Sequence, residues 1–451
     1  MAAARRGGRG TRRLCAAPAR RGRPARGRTR LPARRRTFRV PARRCLVRAV
    51  AFLGPVGVHA GGRSVGGVAT HTVRSATALA EAGWRVAVFA DDVTGVPGGS
   101  APTPWGERFG VMGAPAAALA PHVLAISAAA LRASGDARRT ALGMRLDRVA
   151  SRAMLVRSAA RTFVPDVLHV QQADFRPLYA AWAGLTHLPT VVTVHGLGAL
   201  VTGEYPELAS VIPENLRRAR AITAPSHFLA AEVARIAPGA PEVRVVPNGV
   251  DRDRFRPRDR AECRVRLALD PDAPLVVYVG RVTEAKGALD LLAAYDRLLA
   301  EMPDARLAFV GPVETVQPFP VPLRDEAPAD AGTFVVADAD DRRVAHWLGA
   351  ADLVAVPSRY EGFGLSALEA MASARAVVAA DVGGLAEIVT DDSGVRVPAQ
   401  DPEALAEALL ALLRNRRRAA ELGEAGAERA RAYTWAATAN GFTALYEELL
   451  A

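Results

Sequence analysis

Cysteine is scarce: the 451-residue chain holds three, too few for a disulfide framework. Two of them, Cys15 and Cys45, lie in an N-terminal tail. Cys263 alone remains in the body, which fits a reducing, cytoplasmic setting. No run of about 18 apolar residues occurs, so no helix is expected to span a membrane. The alanine-rich stretch 114–133 is broken by Pro115, Pro121 and His122. Acidic residues and lysine are absent from positions 1–50, which hold 18 arginines. That tail accounts for the formal charge of +13, because without it 41 basic residues face 46 acidic ones, a net of −5. The basic excess is therefore no sign of a nucleic-acid-binding body. No Gly-x-Gly-x-x-Gly with a downstream acid follows the first strand, which disfavours bound NAD. No His, Cys and Asp cluster has metal-ligand spacing, and Asp338-Ala339-Asp340-Asp341 reads as a helix cap rather than a metal motif.

Residues 1–48, rich in Arg, Gly, Pro and Ala, cannot bury a core and are expected to be disordered. The tail reads as a transit peptide, a nucleic-acid-binding arm or arginine-rich sequence upstream of the true start, the last being favoured. From Leu46 the pattern changes. A strand to Leu53, a glycine-rich loop from Gly57 to Gly67, a helix from Val68 to Ala82 and a strand at Arg85–Ala90 make a β-loop-α-β unit. Residues 92–160 are predicted helical. Strands follow at 166–170, 189–195 and 221–226, a helix at His227–Ile236, and a further apolar run at 243–251. The charged, proline-bearing segment 252–273 reads as an interdomain linker. The alternation then restarts at Leu275 and runs to helices at Pro402–Arg414, Arg416–Ala432 and Trp435–Leu450. This is an α/β pattern of two doubly wound, Rossmann-like domains facing across a cleft, 49–257 and 258–432. Residues 433–451 are expected to form a helix packing back on the first domain.

The chain is organised around Pro357–Ala372. An apolar strand ends at Pro357, a glycine-bearing loop follows, and a helix begins near Gly364, where free N–H groups favour an anion. Glu361 lies just outside that helix and Glu369 inside it, an arrangement that would suit a nucleotide-sugar, with one carboxylate for sugar hydroxyls and one for ribose. Arg281 and Lys286 stand five apart at another strand's carboxyl end, a planar fork and a compact point charge suited to a diphosphate. His195 ends an apolar strand. Taken singly, each has a plain reading: surface glutamates, a solvated basic loop, a satisfied strand-end histidine.

Taken in order, Gly66-Gly67, His195-Gly196, Pro247-Asn-Gly-Val-Asp251, Gly280-Arg281 with Lys286-Gly287, Glu361-x7-Glu369, and Gly383-Gly384 with Glu387 resemble the retaining glycosyltransferases of family 4, which have the two-domain GT-B fold. The resemblance covers roughly residues 49–450. It implies transfer of a hexosyl unit from a nucleoside diphosphate-sugar, UDP-sugar favoured, to a hydroxyl. It implies that Arg281 and Lys286 grip the diphosphate, with the amides of Gly364 and Leu365 and the backbone of Gly67. It assigns Glu369 to the ribose, Glu361 and His195 to the reacting sugar, and Gly384 and Glu387 to the border of the sugar subsite. The cation pair stands in for a divalent ion, so neither metal nor cofactor is expected. The acceptor is expected to be an inositol phosphate, a lipid-linked sugar or a natural-product scaffold. Arginines of 138–161 hint at peripheral membrane contact. Pro312–Gly332 departs from the family, because its five prolines exclude a helix there. The alternatives are a nucleotide-sugar epimerase on the same fold, and a non-enzymatic RNA-binding protein acting through the tail.

Overall fold

The computed structural model describes residues 48–56, 60, 66–94, 99–112, 137–198, 208–314, 332–337 and 339–451, with side chains of 137–148 excepted. The tail and its expected disorder lie outside them, as does most of Pro312–Gly332. Val47–Ala451 forms one compact unit, and within it two parallel sheets are each clothed in helices.

The first lobe contains, in chain order, β1 Ala49–Gly54, α1 Gly67–Glu81, β2 Arg85–Thr94, β3 Ala101–Thr103, β4 Gly106–Met112, α2 Ala137–Phe163, β5 Val167–Gln171, α3 Arg176–Trp182, β6 Thr190–Thr193, α4 Leu208–Arg218, β7 Ala221–Ala224, α5 His227–Ile236 and β8 Val243–Val245. Its strands run in the order β3-β4-β2-β1-β5-β6-β7-β8, parallel except for β3 against β4. The central strands are buried along their whole length, as expected of a sheet covered on both faces. Here the helical expectation for 92–160 is corrected. Residues 101–112 form a hairpin that extends the sheet, β4 lying parallel to β2. In β4, Phe109 and Val111 are buried, and Phe109 meets Phe89 edge-on at 5.7 Å between ring centres. That period of two is short and was masked by the surrounding alanine and arginine. Only 137–163 is helical in the described part of that stretch.

The second lobe contains α6 Arg260–Arg266, β9 Leu275–Val279, α7 Ala288–Glu301, β10 Arg306–Val310, β11 Thr333–Val336, α8 Asp341–Ala350, β12 Leu353–Val356, α9 Leu365–Ala372, β13 Ala376–Ala380, α10 Leu385–Ile388, β14 Val395–Val397, α11 Pro402–Arg414 and α12 Arg416–Ala430. Its strands are all parallel, in the order β11-β10-β9-β12-β13-β14. The linker reading of 252–273 is corrected as well. Asp259 caps α6 by accepting from Glu262 N, and Arg264, 1% exposed, donates to the carbonyls of Asp270, Pro271, Ala273 and Ala350 while pairing with Asp352 at 2.8 Å. A desolvated guanidinium with this many partners belongs to a core, not to a tether. Asp340 caps α8, accepting from Arg343 N.

The chain then returns to the first lobe. α13, Trp435–Leu450, lies against α1, with Phe442 and Tyr446 buried beside Val50, Phe52 and Trp84. Gly249 permits the return, because a Cβ there would come 2.2 Å from Trp435 N. Strand β1 ends at Gly54 and β6 just before His195, while β9 ends before Arg281 and β12 before Pro357. The carboxyl ends of strands are where open α/β sheets bind ligands.

Candidate active site

Arg281 and Lys286 are presented by a loop that only a particular backbone can make. Gly280 has φ +142° and its N–H donates to Val310 O, while Arg281 O accepts from Tyr278 OH at 2.6 Å. Thr283 then caps a single 3₁₀ turn over Glu284–Lys286, and Gly287 closes it at φ +72°. A Cβ at Gly287 would stand 2.0 Å from Pro357 O. This close approach brings the two loops of the second lobe together. Lys286 Nζ reaches Glu361 Oε2 at 2.8 Å, both side chains largely shielded. Arg359 locks the second loop from below, donating two bonds to Asp290 and one to Glu284.

The turn before α9 is held at Gly364, φ +108°, and no side chain caps the helix start. The first-turn amides, Leu365 among them, are left for a ligand. The first lobe approaches from the opposite side. A Cβ on Gly66 would lie 3.9 Å from Arg281 Nε, and one on Gly67 would lie 3.5 Å from Leu365 Cδ1. A Cβ on Gly362 would lie 2.5 Å from His195 O, so His195 and the Glu361 loop touch backbone to backbone. Contacts thus join Gly66 and Gly67 of the first lobe to Arg281 and Leu365 of the second, and His195 to the Glu361 loop that Lys286 reaches. Arg281 pairs with Glu314 at 3.0 Å on its exposed side.

Glu369 lies further along α9. Its side chain is half-buried, and burial pushes its pKa up to about 8, with Asp341 raising it further and Arg74 and Arg254 opposing. Its carboxyl oxygens make no hydrogen bond or ion pair among the described residues, whereas its backbone carbonyl accepts from Ser373 Oγ at 2.9 Å. Beside it Arg74, from α1, crosses between the lobes to Asp251 at 2.9 Å and Asp341 at 3.2 Å, and Arg254 also pairs with Asp341. Nothing in the sequence marked Arg74.

Gly383, Gly384 and Glu387 sit against the Glu361 loop. Gly384 N donates to Glu361 O at 2.9 Å, and a Cβ on Gly384 would meet Gly362 O at 2.3 Å. Both oxygens of Glu387 accept backbone hydrogens from the first turn of α5, His227 N at 3.0 Å and Phe228 N at 2.6 Å. This is a helix cap supplied across the two lobes. Glu387→Ala is expected to lower thermal stability by about 1–2 kcal/mol, read as a drop in the unfolding midpoint. An unchanged midpoint would remove the cap from the account. Tyr360 is a further contact that sequence reasoning passed over: its OH accepts from Leu197 N at 3.0 Å and its ring packs on Gly198.

His195 is held by two glutamines. Its N–H donates to Gln172 Oε1 at 3.1 Å, and its ring Nε2 lies 2.7 Å from Gln171 Oε1. Burial holds its pKa well below the ordinary value, with His71, His169 and Arg176 acting in the same sense. The ring is neutral at physiological pH. Among the described residues no group of three or more His, Cys, Asp or Glu side chains stands at metal-binding spacing, and no helix is long and apolar enough to cross a membrane.

Comparison with known proteins finds two family models side by side: Glycosyltransferase Family 4 over residues 65–254 and Glycosyl transferases group 1 over residues 259–429. The D-inositol 3-phosphate glycosyltransferase 2 of Catenulispora acidiphila is 37% identical over 278 residues, 57% of this chain and 65% of that protein. The D-inositol 3-phosphate glycosyltransferase of Frankia alni is 37% identical over 308 residues, 63% of this chain and 74% of that one. For the first relatives the match spans a little under two thirds of their own length. Among solved structures, sucrose-phosphate synthase from Thermosynechococcus elongatus superposes with a TM-score of 0.68 at 25% identity, covering 89% of this chain and 99% of that one. Anabaena HepE, solved with UDP and glucose, gives 0.62 at 15% identity, over 89% and 100% of the two chains.

Proposed function

Because this chain belongs to glycosyltransferase family 4 and has the GT-B fold, we propose that it moves a hexosyl unit from a nucleoside diphosphate-sugar to a hydroxyl, with retention of anomeric configuration and without a divalent metal. The observation that supports the proposal is the approach of Gly66-Gly67 in the first lobe to Arg281 and Leu365 in the second, beside the Lys286–Glu361 pair. The diphosphate lies between them, against the start of α9, and its growing charge as the glycosidic bond breaks is met by guanidinium, ammonium and helix dipole. Glu361 accepts from hydroxyls of the sugar, Glu369 from the ribose, and His195 contacts the sugar from the first lobe. The acceptor hydroxyl attacks the face the diphosphate leaves, and the leaving phosphate oxygen takes its proton. UDP-sugar is the donor we favour. Relatives named D-inositol 3-phosphate glycosyltransferases make a phosphorylated inositol the first acceptor to try.

The test is a thermal-shift panel of UDP, GDP and ADP sugars with EDTA present, followed by product analysis with D-inositol 3-phosphate. A UDP-sugar is expected to raise the midpoint most, and nucleotide release is expected to require acceptor. Stabilisation by no nucleotide sugar would end the proposal, and stabilisation only with added magnesium would end its metal-free part. Nucleotide-sugar isomerisation without acceptor would favour an epimerase.

A further inference from the structure

Gln171 closes β5, is fully buried, and joins histidines from two other elements. Its Oε1 lies 2.9 Å from Nδ1 of His71 on α1 and 2.7 Å from Nε2 of His195 after β6. An amide oxygen only accepts, so with the amide in this orientation both of those ring nitrogens carry hydrogen. Ser75 Oγ, 3.3 Å from His71 Nε2, then donates to the nitrogen left over on that ring. The His71 and His195 rings meet edge-on with centres 4.4 Å apart. Gly54 makes the room, since a Cβ there would lie 2.6 Å from Gln171 Cβ.

For His195 the result is one tautomer, hydrogen on Nε2 and lone pair on Nδ1. Nδ1 has no hydrogen-bond partner among the described residues. We propose that Gln171 is a positioning residue: it holds His195 as an Nε2–H imidazole so that Nδ1 accepts a hydrogen bond from a hydroxyl of the transferred sugar. This rests on the reading of His195 as a sugar contact. A neutral imidazole has one donor and one acceptor, so whatever fixes the first assigns the second. The charged and titratable neighbours are His71, His169 and Arg176, and Arg176 is itself paired with Asp91 and Asp174. None of these supplies a carboxylate to the ring. Gln171 Nε2 is buried without a partner, so the amide is oriented through its oxygen alone, and an amide turned over would reverse both tautomers.

Nitrogen NMR of the full-length protein labelled with ¹⁵N-histidine reads the tautomer directly, His195 being identified by the signals lost in His195→Ala. Hydrogen on Nε2 with a bare Nδ1 is expected. Hydrogen on Nδ1 overturns the proposal, whether or not the protein transfers sugar. In kinetics with the UDP-sugar selected by the panel, Gln171→Met is expected to lower kcat/KM roughly 10- to 100-fold, by analogy with losing the partner that orients a ligating histidine. Gln171→Glu keeps an acceptor oxygen for both rings. It is expected to recover most of that loss and to move the acid limb of the pH profile upward, since a carboxylate favours the protonated ring. A folded Gln171→Glu protein as poor as Gln171→Met overturns the acceptor role. Full activity in His195→Ala overturns the sugar contact. Failure of the transferase reading itself would show separately, as no response to any nucleotide sugar.

Discussion

Lys286→Ala is expected to cut kcat/KM for the nucleotide sugar five- to 150-fold, about 1–3 kcal/mol, the scale of a lost charge-assisted hydrogen bond. Two losses combine. The diphosphate loses a point charge on the side where its negative charge grows, and Glu361, 17% exposed, loses the cation that neutralises it. Composition sharpens the case: Lys286 is the single lysine of the chain, and the other 58 basic residues are arginines. Lys286 offers a compact ammonium at the end of a tight turn, and arginine would replace that point charge with a wider planar fork whose donors point differently. Lys286→Arg is therefore expected to recover only part of the activity. The lone lysine also permits a direct check. An amine-reactive acylating reagent has one side-chain target, and bound UDP is expected to protect it. An alanine variant within threefold of wild type, or labelling unaffected by UDP, would remove Lys286 from the diphosphate site.

The two-lobed architecture was legible because buried parallel strands write themselves as unbroken apolar runs, as in Leu275–Val279 and Leu353–Val356. The positions of the loop glycines were legible for a related reason, since positive φ at Gly287 and Gly364 admits little else. Contacts between distant segments were not. Glu387 carries no local sign that it caps a helix 160 residues away, and Arg74 looks like any polar residue on an amphipathic helix. The β3–β4 hairpin escaped because three- and seven-residue strands carry too few alternations to outweigh a helix-favouring composition. Arg264 escaped because an arginine in a charged segment reads as solvated until its carbonyl partners, up to 86 residues away, are in view.

Glu369→Gln is expected to do two opposite things, and their conjunction tests the ribose assignment. The folded carboxyl titrates near 8 rather than at its ordinary 4.5, burial being the main cause and Asp341 the next. Between those pH values the folded protein keeps a proton that the unfolded chain has released. Stability therefore falls as pH rises through that window and levels off above it. At about 1.4 kcal/mol per unit, reduced because the carboxyl is partly open to solvent, the ionised group costs about 1–3 kcal/mol above pH 8. The glutamine variant never ionises, so its unfolding midpoint is expected to exceed that of wild type in alkaline buffer and to match it near pH 4. Donor binding runs the other way. Ribose hydroxyls donate to a carboxylate more strongly than to a neutral group, so wild-type affinity for UDP is expected to rise through pH 8. The variant is expected to bind about 1–3 kcal/mol more weakly in that range, with no titration there. A midpoint raised without loss of UDP affinity would leave Glu369 a strained wall residue with no ribose to hold. Loss of affinity with an unchanged pH profile of stability would place the ribose contact correctly but deny that the carboxyl is desolvated before the nucleotide arrives.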